Sequence, residues 1–253
     1  MIQSNYRLST PSVSTLKFAG KMMQNALIIA LFFVIANGCN TTKIDISKYQ
    51  ADSVKWEKEI QGLETKDKTE KDPENAILFV GSSSIRLWKN IAKDMQPYPV
   101  IQRGYGGASF ADIVFYIERL VKPHNFRALA LFAANDITGG EKDRTPEEAT
   151  AIVKEIIHKV RSFEPKKPIF IIQVTPTPSR WKVWGEAQKF NALLKKMCEK
   201  GKNTYFIETT APYLNAEGKP REELFIQDKL HQNQSGYDIW ALLIKKRLDE
   251  VLK

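Results

Sequence analysis

The sequence predicts a single three-layer α/β/α domain on a mostly parallel sheet, and three observations predict it. Short apolar runs alternate along the chain with longer segments of helical period, which is the pattern of strands joined by right-handed crossover helices. The first run, Ala76-Ile-Leu-Phe-Val80, is apolar throughout, as a parallel strand covered on both faces needs no polar alternation. No internal repeat or second domain interrupts residues 54–253, and about 200 residues suffice for one buried core.

The elements follow in order. Residues 54–71 are highly charged, with Trp56, Ile60 and Leu63 on one face of a predicted helix. Strand 76–80 stops at Gly81-Ser-Ser-Ser84, and a helix is expected from Ile85 onward. A short strand at 100–101 leads to a helix over 109–121, and a strand at 128–133 leads to a helix ending near 163. That helix announces its start: Thr145 suits the N-cap, Pro146 the first position and Glu148 the third. Strand 168–174, helix 184–199, strand 204–207 and a closing amphipathic helix over 235–252 complete the pattern.

The N-terminus carries an address. Lys17 and Lys21 precede an apolar run at 26–36, too short for a comfortable membrane span, and Asn37-Gly-Cys39 follows. Residues 1–38 therefore read as a secretory signal. The Gly-Cys step resembles a bacterial lipobox, which implies cleavage before Cys39, lipid on its thiol and attachment to the cell envelope. Residues 39–53 are then the lipidated cysteine and a tether, and 54–253 the domain. Formal net charge is +9 over the whole chain and +6 without residues 1–38. The remaining positive charge is spread along helix faces, and no basic block with interleaved aromatics marks a nucleic-acid surface. Cys198, the second of two cysteines, lies in a helical pattern and reads as a small packed hydrophobe.

In open parallel sheets chemistry gathers outside the carboxyl ends of the strands, and here those ends carry unusual residues. Ser82 to Ser84 sit at a strand-to-helix turn, where they either cap the helix or present a nucleophile beside its free N–H groups. Of three histidines, His158 lies within a helix and His124 has no motif around it. His231 follows Asp228 by three residues, a spacing that lets the carboxylate hold the imidazole in one tautomer. Gly106-Gly107 leaves a backbone N–H open, and Asn135 offers an amide, so that with the serine's own N–H there are three donors for an oxyanion. Each feature alone has a structural explanation; four of them in order on successive strand ends point to a serine hydrolase. No metal-ligand spacing is present and no cofactor is called for.

These blocks resemble the SGNH/GDSL hydrolases over about residues 74–250, in particular the subgroup whose first block reads Gly-Ser-Ser-Ser-Ile-Arg-x-Trp, as Gly81 to Trp88 does. The resemblance implies a flavodoxin-like sandwich, Ser83 as nucleophile, Ser83, Gly107 and Asn135 at the oxyanion hole, and Asp228 with His231 completing the triad. Two positions depart from the pattern. Ser82 replaces an aspartate, and Ala133 replaces the glycine of Gly-x-Asn-Asp, whose added methyl is expected to shift Asn135. Trp181 and Trp184, with Arg180, offer a platform for a sugar ring or a wall for a short acyl chain, or else staple the next helix. No apolar insertion suggests a lid for long-chain lipids, so short acyl esters, acetyl groups on carbohydrate among them, are the expected substrates. A catalytically weak or silent glycan-binding lipoprotein on the same fold is the alternative. A dinucleotide-binding role for Gly104-x-Gly-x-x-Ser109 fails because the third glycine is a serine and the turn belongs to the second strand.

Overall fold

The computed structural model describes residues 44–253. Five strands, β1 (Ile77–Gly81), β2 (Val100–Gly104), β3 (Ala128–Phe132), β4 (Ile169–Ile172) and β5 (Thr204–Ile207), form one sheet in the order β2-β1-β3-β4-β5. Every pairing is parallel. The main helices are α1 (Glu57–Asp67), α2 (Phe110–Val121), α3 (Pro146–Phe163), α4 (Trp184–Lys200) and α5 (Gln234–Leu252). The predicted alternation and the three layers are what the chain adopts.

Period-2 alternation sorts each strand's side chains into two cores. Leu78, Val80, Leu129, Leu131, Ile169 and Ile171 face one way, into a core shared with α2, α3 and α4. Ile77, Phe79, Ala128, Ala130, Phe170 and Ile172 face the other, where α5 supplies Tyr237, Trp240, Ile244 and Leu248. The starts of α2, α3 and α5 carry side-chain caps. Ser109 and Asp112 form a reciprocal capping box ahead of α2, and the Thr145 side chain accepts the Glu148 N–H with Pro146 at the first position of α3.

Two expectations are corrected. The folded unit begins at Ile44, so residues 44–53, expected to be tether, belong to it. Tyr49 and Ser53 are buried, and the Tyr116 hydroxyl donates to Ser53 O. The helix after the serines is also a single turn, Ser83–Arg86, followed by a second short turn at Ile91–Asp94. Trp88 is fully buried between them, stacked on Tyr237 at 5.2 Å, and its Nε1 donates to Asp94. The Ile85 carbonyl accepts both the Trp88 N–H at 3.2 Å and Gln102 Nε2 at 2.6 Å, which ties the turn to β2.

Residues 1–38 and Cys39, to which the signal peptide and the lipid were assigned, lie outside the described residues. Among the described residues no helix is long and apolar enough to cross a membrane, and no cluster of three or more His, Cys, Asp or Glu is placed to hold a metal ion.

Candidate active site

The strand order makes β1 the switch point, since the chain leaves it for β2 on one side and lies against β3 on the other. Ser83 is the first residue past that end but one. Ser82 occupies the N-cap position, extended and without a side-chain capping bond, and Ser83 opens the turn. The capping explanation for the serines therefore does not account for Ser83. Gly81 is required here, because a Cβ would lie 2.2 Å from the Phe132 carbonyl oxygen.

The other partners arrive from the loop ahead of α5. Ser83 Oγ lies 2.9 Å from His231 Nε2, and His231 Nδ1 lies 2.6 Å from Asp228 Oδ2. The second carboxylate oxygen of Asp228 accepts the backbone N–H groups of Leu230 and His231, both at 2.9 Å. Lys229 is consequently held at a φ of 56°, a left-handed conformation unusual for its residue type. Burial pushes the Asp228 carboxyl up, but the hydrogen bonds from the His231 ring and the two N–H groups outweigh it and hold the pKa below the ordinary value. The carboxylate is thus ionised where it faces the imidazole, and Nδ1 is the protonated ring nitrogen. Nε2 is left to accept from the serine.

Asn135 lines the same pocket as Ser83, and Gly107 lies beside it. Asn135 Nδ2 donates to Ala108 O at 2.9 Å, and a Cβ on Gly107 would stand 3.9 Å from that same nitrogen. The backbone N–H groups of Ser83 and Gly107 have no partner among the described residues. Ala133 is fully buried in the core beneath α2 and α3, and it is Ala134 and Asn135 that reach the pocket. Next in sequence, Asp136 is buried and accepts the Phe110 N–H at 2.8 Å, tying the start of α2 to the end of β3.

Arg180 takes a place that sequence reasoning missed. Its Nη1 donates to Ala134 O at 2.6 Å and its Nη2 to Asn135 Oδ1 at 2.5 Å. A guanidinium only donates and a carbonyl only accepts, so these contacts with that to Ala108 fix which end of the Asn135 amide is the NH₂. Burial lowers the Arg180 pKa, with Asp143 and Asp136 opposing, and among the described residues no carboxylate lies within ion-pair distance of it. Arg180 also lines the pocket, as sequence reasoning expected of it, but both terminal nitrogens are engaged with the strand end.

The pocket beside Ser83 is small, about 40 Å³, and largely apolar, with Phe132, Ile137, Val174, Val183, Trp184 and Leu230 in its wall. Trp184 is a wall residue. Trp181 does not line the pocket; it stacks on Trp184 with centroids 6.1 Å apart, and Lys219 Nζ stands 5.2 Å from its ring. Cys198 is buried in α4, where burial pushes its thiol up to about 12, and it takes no part in the site. His124 is buried elsewhere, 3.0 Å from Asp72.

Residues 79–239, well over half of the chain, match the model of the GDSL-like lipase/acylhydrolase family, and the chain belongs to that family. No curated protein matches the sequence. Among solved structures, a GDSL-like lipase from Bacteroides thetaiotaomicron is similar with a TM-score of 0.65 at 17% identity, over 76% of this chain and 97% of that one. An acetylxylan esterase from Geobacillus stearothermophilus has a TM-score of 0.57 at 14% identity, over 70% and 94%. A carbohydrate esterase family 3 protein from Talaromyces cellulolyticus has a TM-score of 0.54 at 14% identity, over 70% and 97%. At these identities the likeness is one of fold.

Proposed function

We propose that the protein is a serine esterase that removes short acyl groups, acetyl above all, from carbohydrate esters. The observation that carries this is the hydrogen-bonded chain Ser83–His231–Asp228 at the mouth of the small apolar pocket. His231 Nε2 takes the Ser83 proton as Oγ attacks the ester carbonyl, and Asp228 stabilises the imidazolium that forms. The N–H groups of Ser83 and Gly107 and the Asn135 amide stabilise the oxyanion. The imidazolium returns its proton to the departing alcohol, leaving an acyl-serine. Water, deprotonated by the same imidazole, then releases the acid and restores Ser83.

Pocket size argues for acyl length. A cavity needs about 10–15 Å³ by the same measure to hold one water, so the 40 Å³ here admits an acetyl or slightly longer group. Carbohydrate as the alcohol side is supported by the acetylxylan esterase among the structural neighbours. Residues 1–38 act as a signal peptide in this reading, and lipid on Cys39 anchors the enzyme in the bacterial envelope; a Cys39→Ala protein is expected in the soluble rather than the membrane fraction.

The test is a series of p-nitrophenyl esters from acetyl to octanoyl, alongside acetate release from acetylated xylo-oligosaccharides. The expected result is kcat/KM greatest for acetyl, release of acetate from the oligosaccharide, and no turnover by Ser83→Ala. Faster turnover of octanoyl than of acetyl esters, or activity retained by Ser83→Ala, contradicts it.

A further inference from the structure

The family match begins at Phe79, yet residues before it hold the loop that carries Gly107. Glu59 Oε2 in α1 accepts the backbone N–H of Gly106 at 2.7 Å. Gly106 has a φ of +23°, and a Cβ there would lie 1.9 Å from the Trp56 ring. Trp56 in turn meets Tyr105 edge-on, with centroids 5.8 Å apart. The two residues that precede Gly107 are thus clamped by a segment outside the matched region.

That segment is itself fixed to the domain. Arg119 of α2 pairs with Glu57 at 2.8 Å and Glu64 at 2.6 Å, and buried Arg103 of β2 pairs with Asp67 at 2.7 Å. On the opposite side of the loop Asp136 holds the Phe110 N–H. A Gly-Gly pair left alone samples many backbone states, whereas an oxyanion donor acts by being aimed before the charge develops. Gly106 is the residue whose conformation sets the peptide plane bearing the Gly107 N–H.

We infer that Glu59 and Trp56 are positioning residues for the Gly107 N–H, so that the catalytic unit extends to α1; the inference rests on the serine-esterase reading. The acceptor at Glu59 fixes the Gly106 peptide, and the indole denies Gly106 the conformations that would turn Gly107 away.

The experiment compares the full-length wild type with Glu59→Ala, Glu59→Gln and Trp56→Leu. The readouts are p-nitrophenyl acetate kinetics, melting temperature and affinity for a small alkylboronic acid, whose tetrahedral serine adduct places an oxygen in the oxyanion hole. Glu59→Ala is expected to lose about 10- to 100-fold in kcat, with KM within about twofold, and to lose boronate affinity in parallel. Glu59→Gln, which keeps an acceptor oxygen, is expected to recover most of both, and Trp56→Leu to follow Glu59→Ala. Wild-type kcat in both Glu59→Ala and Trp56→Leu overturns the inference, and so does a loss of kcat that tracks melting temperature while boronate affinity stays unchanged. A wild type with neither turnover nor boronate binding overturns the esterase reading itself, and with it this inference.

Discussion

Arg180 and Asn135 lie 45 positions apart, on the turns after β4 and β3, and the guanidinium Nη2 of one donates to Oδ1 of the other. A cation on the carbonyl end of an amide draws charge from the NH₂ end, which strengthens the donor offered to an oxyanion. Arg180→Met keeps the aliphatic stem and removes both donors. It is expected to lower kcat about 10- to 100-fold with little change in KM, since loss of a whole oxyanion donor costs about 10²–10³. Arg180→Lys is expected to rescue poorly, because one ammonium cannot reproduce the two-pronged contact. Wild-type kinetics in Arg180→Met would remove the residue from the account.

Asp228→Asn is expected to fold normally, because the asparagine Oδ1 can still accept the Leu230 and His231 N–H groups. The amide would favour the wrong imidazole tautomer at His231, and kcat is expected to fall about 10³- to 10⁴-fold. Ester kinetics with a melting curve for each protein check this. A loss under tenfold contradicts the role given to Asp228.

Asp136 makes stability depend on pH. Burial raises its pKa to about 6, against opposing contributions from the Phe110 N–H, Arg144 and the Ala111 N–H. Between the ordinary value of 3.8 and about 6 the folded state therefore holds a proton that the unfolded state has lost. This group's effect is a loss of stability as pH rises through that window, on the order of 1–3 kcal/mol. Urea unfolding at pH 4, 5, 6 and 7 is expected to show the decline, and Asp136→Asn to flatten it. An identical slope in the variant contradicts the assignment.

Trp184→Ala opens the pocket wall. The expected outcome is a relative gain for butyryl and hexanoyl over acetyl esters of about tenfold, in line with the one to three kcal/mol that a methylene is worth in an apolar pocket. An unchanged acyl preference would place the acyl group elsewhere.

Much of this was legible in the sequence because it is local. The apolar run 76–80 ending in glycine and serines, the Thr145-Pro146 helix start and the Asp228-His231 spacing each carry their chemistry within a few residues. The short turn at Ser83–Arg86 was not legible, because the apolar period continues to Ile91 and only the burial of Trp88 against Tyr237 ends it. Residues 44–53 look like linker until Tyr49 is seen in the core. Arg180 sits among prolines and tryptophans that suggest substrate contact, and nothing nearby points to Asn135. Glu59 is one charge among many on α1, and its acceptor role follows from a contact 47 positions away.

The central claim is an activated Ser83, and the most direct measurement is fluorophosphonate labelling of the purified protein followed by peptide mass mapping. The account predicts an adduct on Ser83 that disappears in His231→Ala. No adduct under conditions where a control serine hydrolase labels fully, or an adduct on Ser82 or Ser84 instead, would contradict it.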